Sequence, residues 1–237
     1  MLSIGTAARA MRNWTGLAAV ASLVALSGQA SAQTEQQDVV NAAETTFSNF
    51  TRDPDMTWLQ HHIGNAKAVL IAPQVVKAGW ILGGAGGRAV LFARNEQTGR
   101  WEGPAFYNLA TASVGFQAGI AVSETVTLVM TEKGLNSLLA TSVKLGGDAS
   151  IAAGPVGEGA KADVTTDFVA FSRSKGIYGG LNLDGTVILV ADNWNQAYYG
   201  RAVLPTDIVL NARAHNPQAD RLAAALGQAA ATKTSLR

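Results

Sequence analysis

The chain has 237 residues, 48% of them hydrophobic, with 25 glycines, no cysteine, and 18 basic against 17 acidic side chains. That apolar content is ample for a folded core and, with so little net charge, excludes a disordered acidic or basic tail protein; the missing cysteine excludes disulfide staples and thiolate zinc sites. The low charge density also argues against a nucleic-acid binder, whose affinity rests on a concentrated cationic surface.

Arg9 and Arg12 are the only charges before Glu35. They precede an apolar run from Trp14 to Ser27, and Ala30-Ser31-Ala32 supplies a small-x-small cleavage pattern. Residues 1–32 therefore read as a secretory signal peptide cut before Gln33. The alternative is a membrane anchor, but the run falls short of the roughly 20 apolar residues that span a bilayer. Without Arg9 and Arg12, 16 basic side chains face 17 acidic ones, so residues 33–237 exert no bulk pull on anionic lipid. The expectation is a protein secreted across the inner membrane, periplasmic or extracellular and soluble. Without a cysteine it is not a Cys-anchored lipoprotein. An outer-membrane barrel is the other membrane reading, and the Ala-rich C-terminal stretch argues against it.

Val39, Ala43, Phe47 and Phe50 recur at helical spacing and predict a helix over 36–51. Asp53-Pro54 breaks it, and a second short helix carries Met56, Leu59 and Ile63, with Gly64 as its stop. Ala68 to Ala72 predicts a short strand ending at Pro73. Trp80 to Leu82 leads into a glycine turn over Gly83-Gly84-Ala85-Gly86-Gly87. Ala89 to Arg94 and Arg100 to Glu102 flank a hairpin loop, and Ala112 to Val122 with Thr125 to Met130 predict a hairpin around Ser123-Glu124. Thr131 is placed to N-cap a helix through Leu139. Residues 144–163 read as a long surface loop or an irregular strand. Val164 to Ser172, Ile177 to Leu183 and Thr186 to Ala191 read as strands, with Leu183-Asp184-Gly185 as a tight turn. Asp207 to Ala214 is expected as a short helix, and Asn216-Pro217 opens a last helix through about Ala230. The fold class that follows is α+β: one domain, a twisted antiparallel sheet or half-barrel, with helices at both ends.

Catalytic signatures are sparse. Gly84-Ala85-Gly86-Gly87 lacks the Lys-Ser/Thr ending of a phosphate loop, and a strand follows it. His61 and His62 are adjacent and point about 100° apart on a helix, which makes no metal face. There is no Gly-x-Ser-x-Gly elbow. Asp163, Asp167, Asp184 and Asp192 sit at strand ends and turns, where carboxylates cap backbone. No cofactor or metal is expected. Two stretches echo one another: Trp80 and Tyr178 each follow a lysine, Lys77 and Lys175, by three residues and precede a glycine pair. An amphipathic ring beside a cation and exposed backbone suits an interfacial or phosphate-bearing headgroup. Lys77, Trp80, Arg88, Lys175 and Tyr178 are therefore the candidate lipid-binding residues.

The order Lys67-Ala68-Val69-Leu70-Ile71-Ala72-Pro73, Lys77-Ala78-Gly79-Trp80, Gly83-Gly84-x-Gly-Gly, Trp101-Glu102-Gly103-Pro104-Ala105, Ser113 to Gly119, Gly154-Pro155-Val156-Gly157, Ser174 to Gly180 and Tyr198-Tyr199-Gly200 resembles the SYLF domain family. The resemblance covers about residues 40–230. It implies a domain associated with membrane lipids in eukaryotic members and with secreted or envelope proteins in bacterial ones, without enzymatic activity. It also implies lipid contact through an N-terminal amphipathic helix, but here segment 36–51 carries Asp38 and Glu44 and no Lys or Arg. The resulting expectation is a non-enzymatic lipid- or phospholipid-binding module of the bacterial cell envelope. Its partner would be a membrane lipid headgroup, with no nucleic acid, and actin is not expected in that compartment. The alternatives are a structural or protein-interaction domain with an envelope partner, and more remotely a hydrolase.

Overall fold

Ala68–Ala72 and Ala89–Ala93 are hydrophobic at every position, a pattern suited to strands covered on both faces. A computed structural model of the chain describes residues 35–79, 82–114, 119–157, 165–174, 177–178 and 185–232. The leader reading, residues 1–32, lies outside them. Among the described residues nine strands form one sheet curled into a half-barrel: β1 Ala68–Gly79, β2 Leu82–Arg94, β3 Trp101–Val114, β4 Gly119–Val129, β5 Ser142–Lys144, β6 Ile151–Ala153, β7 Phe168–Ser174, β8 Ile177–Tyr178 and β9 Val187–Val190. Their order is β5-β9-β3-β2-β1-β4-β7-β6, with β8 paired to β7. All pairings are antiparallel except β6 with β7. The fold is the expected single α+β domain with helices at its ends.

Successive strand residues enter two different cores. Val69, Ile71, Val90, Phe92, Phe106, Val126, Leu128, Val169 and Phe171 face α1 (35–52), α2 (Thr57–His62) and a C-terminal helix. Ala68, Leu70, Ala89, Leu91, Ala105, Tyr107 and Phe168 face α3 (Glu132–Leu139) and a second cover around Val143, Leu145 and Ile208. On the α1 side, Phe47, Phe50, Phe92, Phe106 and Phe171 are at most 1% exposed; burying each contributes roughly 2–3 kcal/mol.

Several elements differ from the sequence reading. β1 does not end at Pro73. It passes through a bulge there: Ile71 pairs with Val90 but Gln74 with Arg88, and on the other side Ala72 pairs with Thr125 but Val75 with Ser123. Pro73 lacks an N–H, and a bulge is where an interior strand tolerates that. Gly83 to Gly87 form no turn; they lie inside β2, hydrogen-bonded to β1 and β3. Ser123-Glu124 is likewise no turn but the middle of β4, opposite Ser174 and Arg173. The loop 144–163 contains β5's end and β6. Of the turn at 183–185 only Gly185 is described, with φ +77°.

Helix α4 (Asp192–Tyr199) has no counterpart in the sequence reading. Its Asn195 is fully buried and accepts the Phe106 N–H at 2.8 Å. The helix expected at 207–214 is shorter and earlier, α5 (Pro205–Val209), because Pro205 pre-sets its first turn. Asn216 caps a 3-10 turn, Pro217–Ala219, that leads into α6 (Asp220–Thr232).

Asp167 ties α3 to the sheet. Thr131 caps α3 by accepting the Gly134 N–H and donates its hydroxyl to Asp167 at 2.5 Å. The Ser150 N–H and hydroxyl both donate to the other carboxylate oxygen at 2.9 Å. Burial alone would raise this pKa; the hydrogen bonds from Thr131 and Ser150 and the Lys133 ammonium outweigh it and bring it to about 2.

Two predictions follow from this architecture. A Cβ on Gly87 would lie 2.3 Å from the Gln74 carbonyl oxygen, so Gly87→Ala should destabilise the fold by ~3 kcal/mol in chemical denaturation. Because its folded pKa is depressed from 3.8 to about 2, Asp167 contributes stability above pH ~4 that is lost as pH falls toward 2, about 2 kcal/mol in all. Melting temperature should therefore fall over that window in the native chain, and fall less in Asp167→Asn, which starts out less stable at neutral pH.

Candidate interaction surface on the sheet extension

Past the bulge, β1 to β4 run on as a four-stranded extension built from small residues: Gly83 to Gly87 on β2, Ala110 to Ser113 on β3, Ala78 and Gly79 on β1, Gly119 and Ala121 on β4. Three aliphatic side chains stand out on it. Ile120 is 73% exposed, Val122 39% and Val76 38%. Val76 pairs with Val122 and with Gly86, and Ile120 pairs with Ala78, itself opposite Gly84. Strand alternation places all three on the side of Val126 and Leu128, the α1 face. The glycines and alanines between them add almost no relief, so the strip is flat and apolar.

A cation marks the border between this strip and the helix-covered core. The Arg88 guanidinium lies over the Trp194 ring, 4.0 Å from its centroid, and donates to Asn108 Oδ1 on the neighbouring strand. Trp194 is in turn 5.8 Å from Phe106. Stacking on an indole fixes the guanidinium plane while its charge remains. No carboxylate of the described residues lies within 4.0 Å of it. Further along the same border Arg173 is neutralised: Glu124 accepts from its Nε at 3.0 Å and also from its Nη2, and from the Thr46 hydroxyl at 3.2 Å.

The five residues singled out from sequence are distributed as follows. Arg88 borders the strip. Lys77 is exposed and pairs with Ala85 and Ala121, which puts it on the opposite face from Arg88. The two do not converge on one headgroup. Tyr178 stands opposite Arg173 in register. Trp80 and Lys175 lie outside the described residues; in sequence they adjoin Gly79 and Ser174, strand ends at the same end of the sheet. Val76, Ile120, Val122, Asn108 and Trp194 were not singled out as binding residues. The alternation of small and large residues in Gly119-Ile120-Ala121-Val122 is the signal that marks the strip.

His61 and His62 do not form a metal face. His62 stacks on Trp58 with ring centroids 3.7 Å apart and its Nδ1 lies 2.7 Å from the Trp58 carbonyl. Among the described residues no three His, Asp or Glu side chains are grouped to hold a metal ion. No helix of the described residues is long and apolar enough to cross a membrane.

The sequence model of the family described as "Ysc84: Las17-binding protein actin regulator" matches residues 110–229. The chain is 29% identical over 162 residues to the SH3 domain-containing YSC84-like protein 1 of Xenopus laevis, covering 66% of this chain and 48% of that protein. It is 27% identical over 174 residues to the Homo sapiens protein of the same name, covering 71% and 50%. With Protein YSC84 of Saccharomyces cerevisiae it shares 31% identity over 133 residues, covering 53% and 28%. The chain thus matches about half the length of the vertebrate relatives and less of the yeast one. The matched segment runs from the outer half of β3, through the strip on β4 and Trp194, to α6, and on this footing the chain belongs to the SYLF (Ysc84) family.

Proposed function

We propose that this chain is a non-enzymatic lipid-binding module whose contact surface is the α1-side face of the sheet extension. The observation that carries the reading is the strip itself: Val76, Ile120 and Val122 exposed together on a flat glycine- and alanine-rich face, with Arg88 held at its edge. Aliphatic side chains suit the acyl boundary of a bilayer, and a stacked guanidinium without a carboxylate partner among the described residues suits a phosphate. Lys77, on the opposite face of the extension, takes no part in this contact. The amphipathic helix α1 is not the contact in this reading, because its apolar residues Val40, Ala43, Phe47 and Phe50 are consumed by the core. In this reading residues 1–32 serve as a secretory leader and the module works in a bacterial envelope, outside the inner membrane.

A second reading, a protein-interaction domain of the envelope, is favoured by one specific feature. Between Gly119 and Ala121, β4 is paired only to β1 among the described residues, an edge suited to an added strand. The family description names a Las17-binding actin regulator; a partner of this chain would be an envelope protein instead.

Cosedimentation with vesicles of phosphatidylglycerol and phosphatidylethanolamine separates the readings. The native chain should sediment with vesicles, less so as salt screens Arg88. The double variant Ile120→Asp, Val122→Asp, altered at exposed positions, should fold normally and bind about tenfold or more weakly. Equal binding by the variant, or none by the native chain, overturns the lipid reading; loss of a cross-linked protein partner in the variant, without any vesicle binding by the native chain, favours the second.

A further inference from the structure

The face that carries the strip does not stop at β1. Register continues it across the sheet to the edge strand β5. Val122 pairs with Val76, Val76 with Gly86, Gly86 with Ala110, Ala110 with Val187, and Val187 with Lys144. Residues directly opposite one another share a face, so one row runs from the apolar strip to a cation on the same side of the sheet. Alternation within the two outer strands gives the same side. Val143 and Leu145 flank Lys144 and are buried in the core around α3, as is Ile188 beside Val187. The neighbouring row repeats the pattern: Leu189, 38% exposed, pairs with Asn108, and Asn108 with Arg88. Ala110, Leu189 and Lys144 are all exposed, so this side of β3, β9 and β5 is open to a partner.

No carboxylate of the described residues lies within 4.0 Å of the Lys144 ammonium. Asp148, the acid nearest to it in sequence, accepts the Lys144 backbone N–H at 2.8 Å. The lysine stem runs past Gly147, where a Cβ would lie 3.5 Å from its Cδ. Arg88, held over Trp194, is three strands away and one row back, on the order of 15 Å at the backbone. Two cations so spaced and so held meet two phosphates. We propose that Lys144 is a second headgroup contact of the same surface, so that the domain lies on an anionic bilayer along the whole row and engages two anionic lipids at once. This rests on the lipid reading of the strip and adds to it a residue, an orientation and a stoichiometry.

The test is cosedimentation of the full chain with phosphatidylcholine vesicles holding increasing fractions of phosphatidylglycerol, at fixed salt. Binding by the native chain should rise with about the square of the phosphatidylglycerol fraction. In Lys144→Gln it should rise about linearly and be weaker by about fivefold at a given fraction. Lys144→Arg keeps the charge and should bind as the native chain does. Lys77→Gln removes the same charge from the opposite face and should also bind as the native chain does. Native-like binding by Lys144→Gln overturns the proposal and leaves the strip standing. Equal losses in Lys144→Gln and Lys77→Gln overturn it as a general effect of charge, and equal losses in Lys144→Gln and Lys144→Arg as an effect of structure. A native chain that binds no vesicle at any fraction overturns the lipid reading itself, and this proposal with it.

Discussion

Pro73 has no N–H to give to either neighbour of the interior strand in which it sits, and the sheet accommodates it with one extra residue. The bulge pushes the Gln74 carbonyl toward β2, to within 2.3 Å of where a side chain at position 87 would begin. Only glycine fits there. This single constraint divides the sheet. On one side of it lie strands clothed on both faces by aliphatic and aromatic residues. On the other lies a glycine-rich extension that no helix of the described residues covers on the α1 side. The extension is where the chain meets other molecules in our account, and the clothed half holds it in place.

The division of labour follows from what each half can bury. Phe47, Phe50, Phe106 and Phe171 lock α1 and α6 against the sheet, and Asp167 pins α3 to the far face through Thr131 and Ser150. Helix α1 is thereby committed to the core. In the proposed reading the apolar contact surface therefore comes from elsewhere, from the strip of Val76, Ile120 and Val122. Arg88 sits where the two halves meet, its guanidinium oriented by Trp194 from α4 and Asn108 from β3. A cation so placed retains its charge and gives up its freedom, which lowers the entropy lost when it engages a phosphate.

Much of the architecture was legible from residue types. Thr131 ahead of α3 and Asn216-Pro217 ahead of α6 are capping chemistry, and both act as the sequence implies. Helix α4 was not legible: Asn, Trp and Tyr are indifferent helix formers, no side chain caps its start, and only Gly200, in the left-handed conformation at its end, marks it. Ser123-Glu124 looked like a turn because polar pairs usually break strands; Arg173 and Thr46 satisfy Glu124 within the sheet instead. The glycine run looked like a turn for the same reason of local habit. Of the residues singled out from sequence, Arg88 borders the strip, but the face of Lys77 was not legible. In an unbroken strand Lys77 would share the face of Val69 and Ile71, which is that of Arg88. The extra residue at the bulge reverses the alternation and sends it to the other side, and nothing local at position 77 records that.

Hydrogen–deuterium exchange with and without phosphatidylglycerol-containing vesicles tests the central claim most directly, because it reads both halves of the same strands. The account predicts that amides of 68–72 and 89–93 exchange only through global unfolding in either condition. It predicts that 75–79, 83–87 and 119–123 exchange faster in solution and become protected when vesicles are added. Protection that appears instead in α1, or an extension whose exchange vesicles leave unchanged, would contradict it.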